Sequence, residues 1–283
     1  MTPIQDCQAG RISPQVAVAR LLLAGHDTTA ILTALNRTNG AATDAMRALV
    51  ETRASPLDAL AAEIRDTAAR HDASGPTPAE GIATIAAFFD RAVQHSPEAS
   101  VALYSLGDPA ILAAATTEIV AWLGIQHLLP ARADILDLGC GIGRVATALA
   151  PACRSILALD VSPGMVAEAT TRLATHPNVT IRHTTGEDLD WLEPDSLDLI
   201  LAIDSFPYIV QTGPSTALTH IQGAARALRP GGALCILNLS YRNDPEADRA
   251  DATAWAAATG LRLTHHGQRP FRLWDGTAYI LSR

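Results

Sequence analysis

The chain contains no lysine: its 21 basic residues are all arginine, they face 29 acidic residues, and they form no run. A formal net charge of −8 argues against nucleic acid as a partner, because a phosphate backbone needs basic patches. Cysteine is scarce. Cys7, Cys140, Cys153 and Cys235 include no C-x-x-C pair, so a zinc site and a disulfide framework are not expected, and the thiols read as buried and free in a reducing compartment. The nine histidines form no ligand-spaced cluster, and no metal is expected. No apolar run approaches the length of a membrane span, and Met1 to Arg11 lacks a basic start followed by an apolar stretch. The expected setting is therefore cytoplasmic, with no membrane partner. Charged residues are few (18%) and hydrophobic ones many (48%), which supports a sizeable core and argues against disorder.

The most informative segment is Ile135-Leu136-Asp137-Leu138-Gly139-Cys140-Gly141-Ile142-Gly143-Arg144. A short apolar run breaks into a glycine-rich turn, and Val145 to Ala150 then continues as a helix that Pro151 helps to end. The run fits a central strand buried on both faces. Glycine at every second position allows positive φ and lets a ligand approach backbone with no Cβ in the way. The following helix start offers free N–H groups and the positive end of its dipole. Asp160 ends the next apolar run, Ser155 to Leu159, where a carboxylate can accept both hydroxyls of a ribose.

The glycine spacing separates cofactors. A dinucleotide turn reads G-x-G-x-x-G, and its third glycine would fall here on Arg144. The acidic Asp137 also lies inside the motif, where it suits a ligand bearing an amine better than a pyrophosphate. A nicotinamide oxidoreductase is disfavoured on both counts.

These residues resemble the class I S-adenosylmethionine-dependent methyltransferases. Four segments match that family in order: Asp137 to Gly143; the strand ending in Asp160 with Val161-Ser162-Pro163-Gly164-Met165; Gly186-Glu187-Asp188-Leu189; and Leu197 to Asp204 joined to Ala227-Leu228-Arg229-Pro230-Gly231-Gly232-Ala233-Leu234. The resemblance covers roughly the C-terminal half. It implies a Rossmann-like, seven-stranded, mostly parallel sheet with helices on both faces and a reversed last strand, and S-adenosyl-L-methionine as cofactor. It further implies cofactor contacts from Asp137, Gly139, Cys140, Gly141, Gly143, Asp160, Val161, Met165, Glu187, Asp188, Leu189 and Ile203, with Asp188 and Leu189 at the adenine.

Alternation of strands and helices from Ala133 onward independently argues for a parallel sheet. Strands are expected near 135–138, 155–160, 179–183, 197–203 and 233–239, with two antiparallel strands in the tail. Helices are expected near 143–150, 163–174, 215–228 and 246–259. The first 130 residues read as all-helical, with starts at Ser13-Pro14, Asp27, Thr43, Ser55-Pro56, Ala79 and Asp108-Pro109, the last running to about Leu129. Ser74-Gly75-Pro76-Thr77-Pro78 is the best linker. The expected division is a helical region over 1–73, a helical lid over 79–130 and a cofactor-binding core over 131–283.

Ile203-Asp204-Ser205-Phe206-Pro207-Tyr208 follows the fourth strand and is placed to face the transferable methyl. It resembles the Asn-Pro-Pro-Tyr signature of amino-group methyltransferases but departs from it, so that activity is not carried over. Asp204, Tyr208 and Tyr104 are the candidate catalytic residues. A packed loop, helix caps and solvated loop carboxylates are the structural alternatives for this run, Asp160 and Asp188. Arg144 is expected to point to solvent or to the N-terminal region. His95, His127 and His220 are possible bases, though each taken alone reads first as structural. The chain is expected to methylate a small molecule, with a homodimer through the N-terminal helices possible; the alternatives are a protein or peptide acceptor, and a non-catalytic cofactor-binding scaffold.

Overall fold

In the computed structural model, which describes residues 2–67 and 75–283, seven strands form one sheet in the order β3-β2-β1-β4-β5-β7-β6. They are β1 (Asp134–Leu138), β2 (Ser155–Asp160), β3 (Val179–His183), β4 (Leu197–Ile203), β5 (Leu228–Leu237), β6 (Arg262–Gln268) and β7 (Ala278–Ser282). The first five pair in parallel, and β7 pairs antiparallel with β5 and β6. Strand order reverses beside β1, between β2 and β4. Open parallel sheets bind their ligands at such a point, beyond the carboxyl ends of the strands.

Side-chain alternation sorts the sheet residues onto two faces. Leu136, Leu138, Ile200, Ala202, Leu234 and Ile236 pack with Trp255 and Ile221 against α12 (Pro214–Ala227) and α13 (Pro245–Thr259). Ile135, Leu199, Leu201, Cys235 and Ile280 face the other way. There they join an apolar cluster that continues into the N-terminal helices through Val18, Leu22, Ile31, Met46 and Val50. Asp137 shares the face of Ile135, so the same alternation that buries the strand turns its carboxylate toward the N-terminal half.

That half is helical: α1 (Pro3–Gln8), α2 (Pro14–Leu23), α3 (Thr28–Leu35), α4 (Ala41–Thr52), α5 (Ala54–Thr67), α6 (Pro78–His95), α7 (Pro97–Val101) and α8 (Pro109–Ile125). Side-chain oxygens of Ser13, Asp27 and Asp108 cap their helices as the sequence signals require, and Thr77, expected in the linker, caps α6. Within the sheet half, α9 (Arg144–Leu149), α10 (Pro163–Arg172) and α11 (Phe206–Thr212) follow β1, β2 and β4.

The expected boundaries shift in places. β5 begins at Leu228 rather than 233 and ends at Leu237 rather than 239. Leu228 pairs with Leu197 and Ala233 with Leu199, so the Arg-Pro-Gly-Gly stretch forms a wide bulge inside the strand. α8 stops at Ile125 rather than near Leu129. His127 takes a φ of 56°, and bonds from Leu128 N to Leu123 O and from His127 N to Gly124 O close the helix in a Schellman turn. The run after Asp204 is a short helix, α11, rather than a loop. α1 was not anticipated; Thr2 and Gln5 form its capping box. Ser74 of the linker and the end of the helix expected to reach Arg70 lie outside the described residues.

Candidate active site

A cavity of about 890 Å³ opens above the carboxyl ends of β1, β2 and β4. Its floor is Asp137, Leu138, Gly139, Cys140, Gly141 and Arg144, with Asp160 and Ile203 beside them. Gly139 has a φ of 73°, Gly141 54° and Gly143 76°. At Gly139 the requirement is also steric. A Cβ there would stand 2.3 Å from Ser205 Cβ, because Ser205 Oγ donates to the Leu138 carbonyl at 2.5 Å and draws the end of β4 against the turn.

Asp160 is buried and organises the turn: Oδ2 accepts from Gly141 N at 2.8 Å and Oδ1 from Ser162 N at 2.9 Å. Burial raises its carboxyl, against the lowering effect of those backbone donors. Each oxygen retains a second lone pair for a ligand. Asp137 is also buried, and its Oδ2 has no hydrogen-bond partner. Burial, aided by the Asp160 charge and opposed by Arg144 and a backbone donor, pushes Asp137 up to about 7. A buried carboxylate oxygen left without a donor costs free energy, and a cationic ligand would offset that cost.

Val161, Met165, Thr184 and Gly186 form one side wall. Glu187, Asp188, Leu189 and Gly143 are not on the cavity surface. Asp188 Oδ1 accepts from Asp190 N at 2.9 Å in a local turn, Glu187 is exposed, and Leu189 is buried against Gly223. Arg144 points to the N-terminal half, donating to Thr116 Oγ1 of α8 at 3.1 Å.

Tyr104, Tyr208 and Asp204 all line the cavity. Tyr104 stacks on Trp274 with centroids 5.9 Å apart, and its buried hydroxyl makes no hydrogen bond. Burial raises the phenol, with the Arg144 charge opposing. Tyr208 packs edge-on against Phe89 and Tyr241 at 5.3 and 5.5 Å. Burial, helped by the Asp204 charge, pushes its phenol far up, so it stays protonated. Asp204 has a φ of 60°, unusual for a non-glycine residue. Its Oδ1 accepts from Asn238 Nδ2 at 2.9 Å and from the Tyr241 hydroxyl at 2.7 Å. Burial raises the Asp204 carboxyl while those two donors oppose it.

Of the candidate histidines, His220 alone borders this cavity. It is buried on α12 with Nδ1 2.9 Å from the Thr216 carbonyl, which makes that nitrogen the protonated one, and burial lowers its pKa.

Sequence reasoning missed Asn238, Tyr241 and Asp90. Asn238 directly follows β5, so the strand-end rule would have found it had the strand not been extended to 239. No local signal marks Asp90. From α6, its Oδ1 accepts from Ser162 Oγ at 2.6 Å and from Gly164 N at 2.8 Å, at the start of α10. It fastens the helix that carries Phe88 and Phe89 to the loop that carries Asp160. Asp90→Ala strands both donors, each worth about 1–3 kcal/mol when left unpaired. Amide hydrogen exchange over 78–95 should speed up in that variant while β1 and β4 stay protected; unchanged exchange in α6 would contradict this fastening.

Residues 135–232 match the family model described as "Methyltransferase domain". A ribosomal RNA large subunit methyltransferase G of Streptomyces avermitilis is 35% identical over 106 residues, 36% of this chain and 28% of that protein. A demethylmenaquinone methyltransferase of Clavibacter sepedonicus is 30% identical over 156 residues, 55% of this chain and 58% of that protein. The chain thus spans about a quarter to three-fifths of the length of these curated relatives. Among solved structures, magnesium protoporphyrin IX methyltransferase from Synechocystis PCC 6803 superposes with a TM-score of 0.45 at 23% identity, over 62% of this chain and 80% of that one. The sheet half of this chain is thus similar, over residues 135–232, to a methyltransferase domain. Among the described residues, no group of His, Cys, Asp and Glu is placed to hold a metal, and no helix is long and apolar enough to cross a membrane.

Proposed function

We propose that this chain binds S-adenosyl-L-methionine on the Gly139–Gly143 turn and transfers its methyl group to a small-molecule acceptor. The observation that carries the reading is Asp137 itself, a buried carboxylate that lines the cavity floor and has one oxygen without a donor, which suits the cofactor's ammonium. In this arrangement Asp160 accepts from the ribose hydroxyls, and Val161 and Met165 flank the nucleoside. Gly139 and Gly141 let the backbone come close. Glu187, Asp188 and Leu189 reach the adenine only if that loop shifts toward the cavity. When bound, the cofactor supplies a methyl group already activated on a sulfonium.

The protein's own work is to bind, orient and exclude water. The helices of residues 2–67 and 78–125 act as a cap, since α2, α5 and α6 contribute Val16, Leu60, Ile82, Ile85 and Phe89 to the cavity wall. Asp204 is the nearest candidate to receive a proton from the acceptor, and Tyr208 and Tyr104 to orient it. A formal net charge of −8 and a mostly apolar wall support a small acceptor over a nucleic acid.

Calorimetric titration with S-adenosylhomocysteine tests the reading; absence of binding would refute it. The pH dependence is specific. Asp137 is up at about 7 in the free protein, and an ammonium guest favours its ionised form and lowers it. Affinity is therefore full above pH 7 and weakens as pH falls below 7, by up to about tenfold per unit. Asp137→Asn should bind more weakly at pH 8 and lose this slope. A wild-type affinity constant between pH 8 and 5.5 would contradict the role given to Asp137.

A further inference from the structure

We propose that the acceptor is an apolar molecule, uncharged or cationic, that presents an N–H or O–H group to Oδ2 of Asp204. The inference rests on the methyltransferase reading and specifies the other half of the same cavity.

Two observations carry it. First, Asp204 is held as a fixed acceptor. Its Oδ1 is engaged by Asn238 Nδ2 and the Tyr241 hydroxyl, whereas Oδ2 takes no protein donor and is open to the cavity. Asn238 is itself anchored: its Oδ1 accepts from Thr277 N at 3.0 Å, and Asp204 N donates to the Leu237 carbonyl at 2.8 Å. Asp204 and Asn238 both sit at positive φ, 60° and 66°. Two adjacent strand ends are thus bent into an uncommon backbone conformation to aim one carboxylate. Such an oxygen, desolvated and pre-oriented, favours a hydrogen-bond donor and rejects a like charge.

Second, the surroundings are apolar and aromatic. Beside Asp204, Tyr241 bonds its Oδ1, Tyr208 packs edge-on against Tyr241, and Phe89 of α6 packs edge-on against Tyr208. Of the arginines that line the cavity, Arg20 is ion-paired with Asp275, whereas Arg144, which donates to Thr116, keeps its charge and favours the ionised form of Asp204, and Arg269 also lines the wall. Volume permits a second ligand. Small-ligand sites begin at about 300 Å³, and this cavity is about 890 Å³.

The test uses the whole chain saturated with S-adenosylhomocysteine and three probes of one shape: 2-naphthylmethylamine, 2-naphthalenemethanol and 2-naphthoate. Calorimetry should show the amine and the alcohol binding at least tenfold tighter than the carboxylate. Asp204→Asn should lose at least tenfold for the amine while retaining its S-adenosylhomocysteine affinity. Tyr241→Phe leaves the carboxylate in place and frees Oδ1 from one donor; it should weaken both preferred probes about threefold and decides the matter should Asp204→Asn fail to fold. Tight binding of 2-naphthoate, failure of all three probes, or indifference of the amine to both variants would overturn the proposal. Failure of wild type to take up S-adenosylhomocysteine would instead remove the reading beneath it, and the first titration shows which has failed.

Discussion

Asp160→Ala should lower the affinity for S-adenosylhomocysteine at least about 100-fold, since two charge-assisted bonds to a ribose are each worth about 1.5–3 kcal/mol. The loss has a second component. Gly141 N and Ser162 N both donate to this carboxylate, and without it the glycine turn and the start of α10 lose their common anchor. Asp160→Asn separates the two effects. Asparagine offers one oxygen in place of two, so it can satisfy one backbone donor but must turn an NH2 toward the other. It should therefore bind more weakly than wild type and better than alanine. Calorimetry on both variants, with the thermal midpoint as a folding control, reads the result. Wild-type affinity in Asp160→Ala would show that the ligand lies elsewhere.

Gly139→Val should cost about 2–5 kcal/mol of stability, combining overpacking with the strain of a β-branched residue at positive φ. The added Cβ would meet Ser205 Cβ at 2.3 Å and Oγ at 2.9 Å. The Oγ could rotate away at the cost of its bond to Leu138, but Cβ is fixed to the backbone, so β1 and β4 must separate at their carboxyl ends. Ser205 adjoins Asp204, and if Asp204 receives the acceptor's proton as proposed, a displacement of about 1 Å there costs on the order of 100-fold in rate. Gly260→Ala is the control: Gly260 also has positive φ, 73°, but a Cβ there meets nothing within 4 Å. Only the backbone penalty, about 1 kcal/mol, should appear. Urea midpoints compare the two, and equal losses would show that the crowding at Ser205 has no energetic weight.

Much of the sheet half was legible because its signals are local. A strand running into a glycine turn and a helix start is written in ten consecutive residues, Ile135 to Arg144. In the helical half the caps at Ser13, Asp27 and Asp108 were legible for the same reason, each acting within three residues of itself. β5 was less legible. The strand is expected only from 233, yet pairing with β4 absorbs Arg229 to Gly232 into a bulge, and that pairing belongs to another part of the chain. The loop at Asp188 shows the same limit. Its family-like spacing says nothing of the local turn to Asp190, which holds the carboxylate away from the cavity surface.

What the amino-acid order determined by itself is the frame: seven strands, their sense, the glycine turn and the carboxylate at 160. Periodicity and turn chemistry operate over a few residues and survive without knowledge of the rest. The tertiary structure alone decided which distant groups meet. Asp90 reaches Ser162 across 72 positions, and Asn238 and Tyr241 reach Asp204 across 34 and 37. Such contacts depend on how helices lie on a sheet and where strands end, so the walls of the cavity and the aim of Asp204 exist only once the chain has packed.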